Sequence, residues 1–343
     1  MKKWASLGLI LMMLVGMTGC GAAKDVPEAQ PPQTPQTIGL LVCTGQITDG
    51  QFNGLLAEGL ESLGQPVVIS TPDEGGERTL AERLDQLIAD GATLIWGSEP
   101  ASAEVILPAA EAHPERKFVI HDAELSELPD NVASVSYRSW EGAFLAGYAA
   151  GLITETEKVG MLGGRDETVI QQFEIGYNAG VQYAAEELGK TIEVYTIYAG
   201  MYDDPAMGQQ LASIMYRDDC DVIFQAAGET GLGAIAEAKA QQKFIIGTDS
   251  DQSSLAPEQV LLSVTKGITA AAAEFSQAYL DGDFPSGQHL AYGLAEGGVD
   301  IAVNDIVSVD IGEKLTALKQ QIISGELVIP SDQAGYDAFI AEL

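Results

Sequence analysis

From Thr37 onward, short runs of apolar and β-branched residues alternate with stretches whose apolar positions recur every three to four residues. The first pattern fits strands buried on both faces, and the second fits amphipathic helices. Strands are predicted at Thr37–Thr44, Val67–Ser70, Thr93–Trp96, Phe118–His121 and Val132–Tyr137. The helix from about Gln51 to Leu63 carries Phe52, Leu55, Leu56, Leu60 and Leu63 on one stripe, with Asp49 placed to cap its start. The next has Leu80, Leu84, Leu87 and Ile88 and closes at Gly91, and a third spans Ala101–Ala112. Repeated βα units of this kind specify a parallel sheet covered by helices on both faces.

Ser139–Thr154 reads as a helix whose small residues, Ala143, Gly147, Ala150 and Gly151, permit close packing; its apolar part is too short to span a bilayer. The same rhythm then restarts. Strands at Val159–Leu162, Ile192–Tyr198, Val222–Ala227 and Phe244–Ile246 alternate with helices at Glu167–Leu188, Asp204–Arg217 and Gly231–Gln241. Leu261–Val264 and Val299–Val303 are further strands, and Ile268–Leu280 and Leu315–Ile323 further helices. Two successive doubly wound units of similar size imply an α/β protein with two lobes and a cleft between them.

The pattern is different before Thr37. Lys2 and Lys3 precede an apolar run, Leu7–Met17, that ends in Thr18-Gly19-Cys20. A charged start, a short apolar core and a small-residue exit describe a secretory signal over residues 1–19, whereas a membrane span needs roughly 20 apolar residues. The exit resembles a bacterial lipobox, in which Cys20 takes the lipid; the alternative is ordinary cleavage with Cys20 incidental. Residues 20–36 hold Pro27, Pro31, Pro32 and Pro35 and form an extended spacer. The membrane is then reached through the lipid anchor alone, on the extracytoplasmic face.

Charge narrows the partners. A formal net charge of −33 repels nucleic acid, anionic membranes and phosphorylated ligands, and favours a neutral or cationic small molecule. Cys43 and Cys220, the thiols left beyond Cys20, are too few for a disulfide framework, and the histidines (His113, His121, His289) form no zinc-ligand motif. No cofactor is implied.

Candidate chemistry gathers where strands end. Phe244 to Gln252 reads Phe-Ile-Ile-Gly-Thr-Asp-Ser-Asp-Gln, a buried strand followed at once by Asp249 and Asp251. Ligands of open α/β sheets bind beyond the carboxyl ends of strands, although an Asp there can also simply cap a turn. Asp249-Ser-Asp251 does not continue as a calcium loop, because Ser254 and Val260 stand where Gly and Glu are needed. Gly160-Met-Leu-Gly163-Gly164-Arg165 matches no phosphate loop and reads as a tight strand-to-helix turn. His121-Asp122 has no nucleophile placed beside it, and neighbouring side chains on a strand point to opposite faces. Asp49, Phe52, Asn53, Asp122, Tyr202, Gly228 and Asp249 lie at strand ends or helix starts. Acceptors and two aromatic rings without a nucleophile–base pair describe a pocket for a flat hydroxylated molecule, not an enzyme.

Several longer stretches carry a resemblance: Gln51-Phe52-Asn53, Ala143–Gly151 with Val159–Gly164, Tyr202-Asp-Asp-Pro205, Ala227–Gly231, Gly247–Gln252 and Leu262–Lys266. In these the chain resembles the basic membrane protein family of bacterial lipoproteins, substrate-binding proteins of nucleoside ABC importers. The resemblance implies the type I periplasmic-binding fold, with crossovers near Arg138–Glu141, Ser263–Ile268 and Tyr292–Val299. One lobe is then 37–138 plus about 266–292, and the other 139–265 plus about 293–343. It further implies a purine stacked between Phe52 and Tyr202, ribose hydroxyls on Asp249, Asp122 and Gly228 lining the pocket, and Lys266 near the ribose end. Family members carry an Asp facing the base where this chain has Cys43 or Thr44, so weak discrimination among purine bases is expected. The resulting reading is a monomeric receptor delivering a purine nucleoside to an ABC permease. A regulatory lipoprotein resembling a competence regulator is the alternative.

The anchor is directly testable. Cys20→Ala is expected to leave the protein without lipid and retained as precursor; normal maturation and unchanged detergent partitioning of the variant would exclude a lipoprotein.

Overall fold

The computed structural model describes residues 36–48, 50–73 and 75–343. The signal segment, Cys20, the proline-rich spacer to Pro35 and Asp49 lie outside the described residues.

Two six-stranded sheets organise the chain. The first contains β1 (Thr37–Leu41), β2 (Val67–Ser70), β3 (Ala92–Gly97), β4 (Lys117–His121) and β5 (Val132–Tyr137). Helices α1 (Phe52–Glu61), α2 (Leu80–Ala89) and α3 (Ala103–Ala112) connect its first strands. The second sheet contains β6 (Lys158–Gly163), β7 (Glu193–Tyr198), β8 (Val222–Ala226), β9 (Phe244–Asp249) and β10 (Val260–Lys266). It is preceded by α4 (Ser139–Ile153) and interleaved with α5 (Thr168–Leu188), α6 (Pro205–Arg217) and α7 (Gly228–Gln241). After α8 (Ile268–Asp281), β11 (His289–Tyr292) joins the first sheet and β12 (Val299–Val303) the second. Helices α9 (Val309–Ser324) and α10 (Gln333–Glu342) end the chain.

The orders are β11-β5-β4-β3-β1-β2 and β12-β10-β9-β8-β6-β7, parallel except for the antiparallel β10–β12 pair. This is the two-lobed α/β architecture that the periodicity predicts. Strands such as β3 and β8 are nearly continuous apolar runs because both faces are covered. The chain passes between the sheets three times, after β5, after β10 and between β11 and β12. These passages are laced together. The Arg138 guanidinium holds Glu141 at 2.7 Å and also pairs with Glu296, Leu294 N–H donates to Glu141, and Gly267 N–H donates to the Gly298 carbonyl.

Three elements depart from the sequence pattern. β11 and α10 have no counterpart in it, and α9 starts at Val309 instead of Leu315. β11 is a four-residue, half-exposed edge strand with little apolar signal of its own. α10 is stabilised by tertiary contact, Phe339 packing edge-on to Phe144 at 6.0 Å. The start of α1 also differs: its N-cap is Gln51, whose side chain makes no capping bond. The capped start is at α2, where Thr79 and Glu82 form a reciprocal capping box.

α4 is apolar on every side and buried along most of its length, with α5 crossing it at backbone distance. A Cβ on Gly147 would run into the Tyr177 carbonyl, one on Gly180 into that of Phe144, and one on Gly176 into that of Trp140. Gly180→Ala is therefore expected to destabilise the protein by about 1–3 kcal/mol through overpacking. Gly312→Ala, in open space on α9, should instead stabilise by up to about 1 kcal/mol through helix propensity. Equal melting temperatures for the two variants would contradict this account of the α4–α5 contact.

Candidate ligand-binding cleft

The carboxyl ends of the central strands of both sheets open into one cavity of about 290 Å3. Asp122 follows β4 and Asp249 ends β9, both in the left-handed region, with φ of 56° and 70°. Asp tolerates this region better than bulkier residues do. Lys266 ends β10 beside Asp249, since Thr265 is in register with Asp249.

At this end of the cavity the Lys266 ammonium lies 2.7 Å from Asp122 Oδ2, with side-chain exposures of only 2% and 7%. The ammonium is also 5.5, 5.4 and 5.1 Å from the ring centroids of Phe52, Tyr137 and Phe173. A buried ammonium needs such compensation from a carboxylate and from ring faces. Asp249 gains less relief. Burial pushes its carboxyl up to about 6; Lys266 opposes that rise and Asp122 reinforces it. Behind the pair, His121 is fully buried and burial pushes it down to about 4. Its Nδ1 faces the Ser98 carbonyl at 3.2 Å and its Nε2 the Tyr137 hydroxyl at 3.0 Å. A carbonyl only accepts, so Nδ1 carries the proton and Nε2 accepts from Tyr137. Both nitrogens are engaged, and the ring supports Phe52 at 5.1 Å.

The other end is built by the first loop. Arg83 donates to the Val42 and Ser70 carbonyls, tying down the ends of β1 and β2. Asn53 Nδ2 donates to the carbonyls of Thr44 and Gln46, so Asn53 braces the loop as well as lining the cavity. Thr44 Oγ1 donates to Glu99 Oε1 at 2.6 Å. Cys43 does not line the cavity. Its backbone N–H is held by Ser98 Oγ at 3.0 Å, and burial, with help from Glu99, pushes its thiol up to about 12. Of the two first-loop candidates only Thr44 reaches the cavity wall, because the chain turns between them after β1. On the facing lobe the Tyr202 ring lies against Gly164, where any Cβ would strike it, and its hydroxyl donates to Glu167. Arg165 sits 5.5 Å from the ring centroid. Gly228, at φ 57°, begins α7, and a Cβ there would come within 3.2 Å of the Tyr202 carbonyl oxygen.

The lobes also touch at the mouth. Thr48 Oγ1 donates to Glu229 Oε1 and Ser250 Oγ to the Gly50 carbonyl, each at 2.6 Å. The structure thus brings Thr44, Phe52, Asn53, Asp122, Tyr202, Gly228, Asp249 and Lys266 to one cavity. Asp49 lies outside the described residues. Sequence reasoning missed Glu99, Glu167, Phe173 and Glu229, which share the wall. Glu99 comes two residues after β3 and Glu167 follows the Gly163-Gly164 turn, so the strand-end rule that found Asp122 and Asp249 could have found both. Among the described residues no group of three His, Cys, Asp or Glu side chains is arranged to hold a metal ion.

Asp249 makes the ligand-free protein pH-sensitive in a defined direction. Its folded value of about 6 lies above the ordinary 3.8, so between them the native state holds a proton that the unfolded chain has released. Stability is lost as pH rises through that window, and the deficit persists above it. Asp249→Asn is expected to melt above wild type at about pH 7.5, with the difference vanishing near pH 4. A difference that stays constant across that range in ligand-free melts would refute the assignment.

The comparisons with known proteins agree with this architecture. Residues 36–333 match the model of the Bmp family, ABC transporter substrate-binding proteins of the PnrA-like type. Basic membrane protein A of Borreliella burgdorferi is 33% identical over 309 residues, 88% of this chain and 90% of the relative. A Lactococcus lactis protein named ABC transporter nucleoside-binding protein BmpA is 28% identical, covering 94% of this chain and 97% of its own. Among solved structures, an ABC transporter solute-binding protein of Aeropyrum pernix superposes with a TM-score of 0.79 at 29% identity, over 90% of this chain and 97% of its own. The chain belongs to the Bmp family of PnrA-like ABC transporter substrate-binding proteins.

Proposed function

We propose that this protein is a lipid-anchored extracytoplasmic receptor that captures a purine nucleoside and passes it to an ABC permease. The observation that carries the reading is Asp249. A carboxylate at a strand end, desolvated and incompletely relieved by Lys266, accepts strongly from a pair of vicinal hydroxyls once the lobes close over it. Lys266, already caged by Asp122 and three rings, presents its charge beside the same hydroxyls. Phe52 from one lobe and Tyr202 from the other line the cavity and offer apolar faces for a flat base. The nucleoside-binding name of the lactococcal relative supports the same class of ligand.

Capture follows from the architecture by hinge motion. In an open form the Thr48–Glu229 and Ser250–Gly50 bonds at the mouth are absent and water fills the cleft. Ligand entering between the lobes replaces that water, and the two bonds close behind it. His121 is engaged at both ring nitrogens, so it braces Phe52 and Tyr137 from behind the cavity wall. The closed lobes are the form a permease reads.

Hydrogen bonds to a charged acceptor contribute roughly 1.5–3 kcal/mol each. Asp249→Ala is therefore expected to weaken nucleoside binding by about two to four decades, with the ligand-free fold intact. 2′-Deoxynucleosides should bind wild type less well and lose less on mutation. Calorimetric titration of the full chain in detergent measures both; a lowered melting temperature with unchanged affinity would make Asp249 a turn cap instead.

A further inference from the structure

The cavity has two separate polar ends. The charged neighbours of Asp249 are Lys266 and Asp122, whereas those of Glu99 are Glu167 and Arg165. Glu99 stands two residues past the end of β3 and lines the cavity from the lobe that also supplies Phe52. Among the described residues no cation pairs with it, and its partner is the Thr44 hydroxyl at 2.6 Å.

The hydrogen-bond chemistry around Glu99 runs one way. Thr44 spends its only hydroxyl proton on Glu99 Oε1, so that hydroxyl faces the cavity with lone pairs alone. Tyr202 likewise spends its proton on Glu167, which also lines the cavity. The Thr44 backbone N–H also leans on the Glu99 carboxylate, and among the described residues no other side chain donates to it, so lone pairs of Glu99 remain open to the cavity. This end of the cavity therefore asks its ligand for N–H groups. Burial holds the Glu99 carboxyl above its usual range and Glu167 pushes in the same direction, with the Thr44 bond opposing them. Donors from a ligand would relieve the ionised form.

We propose that Glu99 reads the purine base, accepting from N1–H and the 2-amino group, so that the cleft selects guanosine over adenosine. Guanine places two adjacent donors on that edge, matching the two oxygens of a carboxylate. Hypoxanthine places one there. Adenine puts an acceptor, N1, against the carboxylate, where lone pairs face each other. The assignment rests on the nucleoside reading above. It replaces the weak base discrimination expected from Cys43 and Thr44 with discrimination supplied from another strand end.

Calorimetric titration of the full chain in detergent with guanosine, inosine and adenosine tests it, for wild type, Glu99→Gln and Asp249→Ala. Wild type should bind guanosine about 10- to 100-fold more tightly than adenosine, with inosine between. Glu99→Gln keeps an acceptor for Thr44 but turns a donor toward N1. It should lose most of the guanosine affinity, hold or gain adenosine affinity, and so collapse the ratio. Asp249→Ala should weaken all three nucleosides alike. 1-Methylguanosine tests the same contact without a variant and should bind wild type about 10-fold or more weaker than guanosine. Wild type that binds the three nucleosides within about 3-fold of one another, equal binding of 1-methylguanosine, or a Glu99→Gln variant that keeps the ratio would overturn the assignment alone. Wild type that binds no nucleoside would overturn the nucleoside reading and the assignment together.

Discussion

The ion pair between Lys266 and Asp122 joins the last residue of a strand in one lobe to the first residue beyond a strand in the other. It sits almost wholly out of water, and removing one member of such a pair strands the other charge, at a cost of about 3–5 kcal/mol. The surroundings answer that demand. Phe52, Tyr137 and Phe173 turn ring faces to the ammonium, His121 stays neutral and pins Tyr137, and Asp249 bears the residual conflict among three charges. The pair fixes the inner end of the cleft, while Asn53, Ser98 and Glu99 hold the first loop at the other.

That arrangement also explains where order is strict and where it is loose. Near the crossovers, Arg138, Glu141 and Glu296 tie two of the inter-lobe passages together, and the Gly267–Gly298 backbone bond adds the third. Behind it, α4 and α5 approach at backbone distance through Gly147, Gly176 and Gly180. At the mouth the lobes hold each other through two hydroxyl hydrogen bonds, about 1 kcal/mol for the one to the Gly50 carbonyl and roughly 1.5–3 kcal/mol for the one to the Glu229 carboxylate. A stiff hinge with a weak clasp suits a protein that must both close on its ligand and release it.

Much of this was legible in the chain. Apolar periodicity gave the two doubly wound units, and the strand-end rule pointed to Asp122 and Asp249 without any pairing information. Lys266 carried no such local signal and entered only through resemblance, because its partner lies 144 residues away. Glu99 was legible by the same rule as Asp122 but was passed over, its strand being read to Trp96 and its role depending on a proton donated by Thr44. Between Cys43 and Thr44 the sequence left a choice that depends on where β1 stops and the chain turns. β11 and α10 were hidden for a different reason. Each is short, and each is held by contacts with distant segments more than by its own pattern.

The backbone at these strand ends has an evolutionary consequence. Asp122 and Asp249 occupy left-handed conformations that only Gly, Asn and Asp adopt at low cost, so random substitution at either position is penalised by the main chain before any ligand is considered. Glu99 has an ordinary extended backbone, with φ of −143°, which every residue except proline adopts without strain. Divergence among descendants of this chain should therefore be uneven across the cleft. The inner end is locked to a narrow alphabet, while the end at Glu99 is free to explore new ligands one substitution at a time.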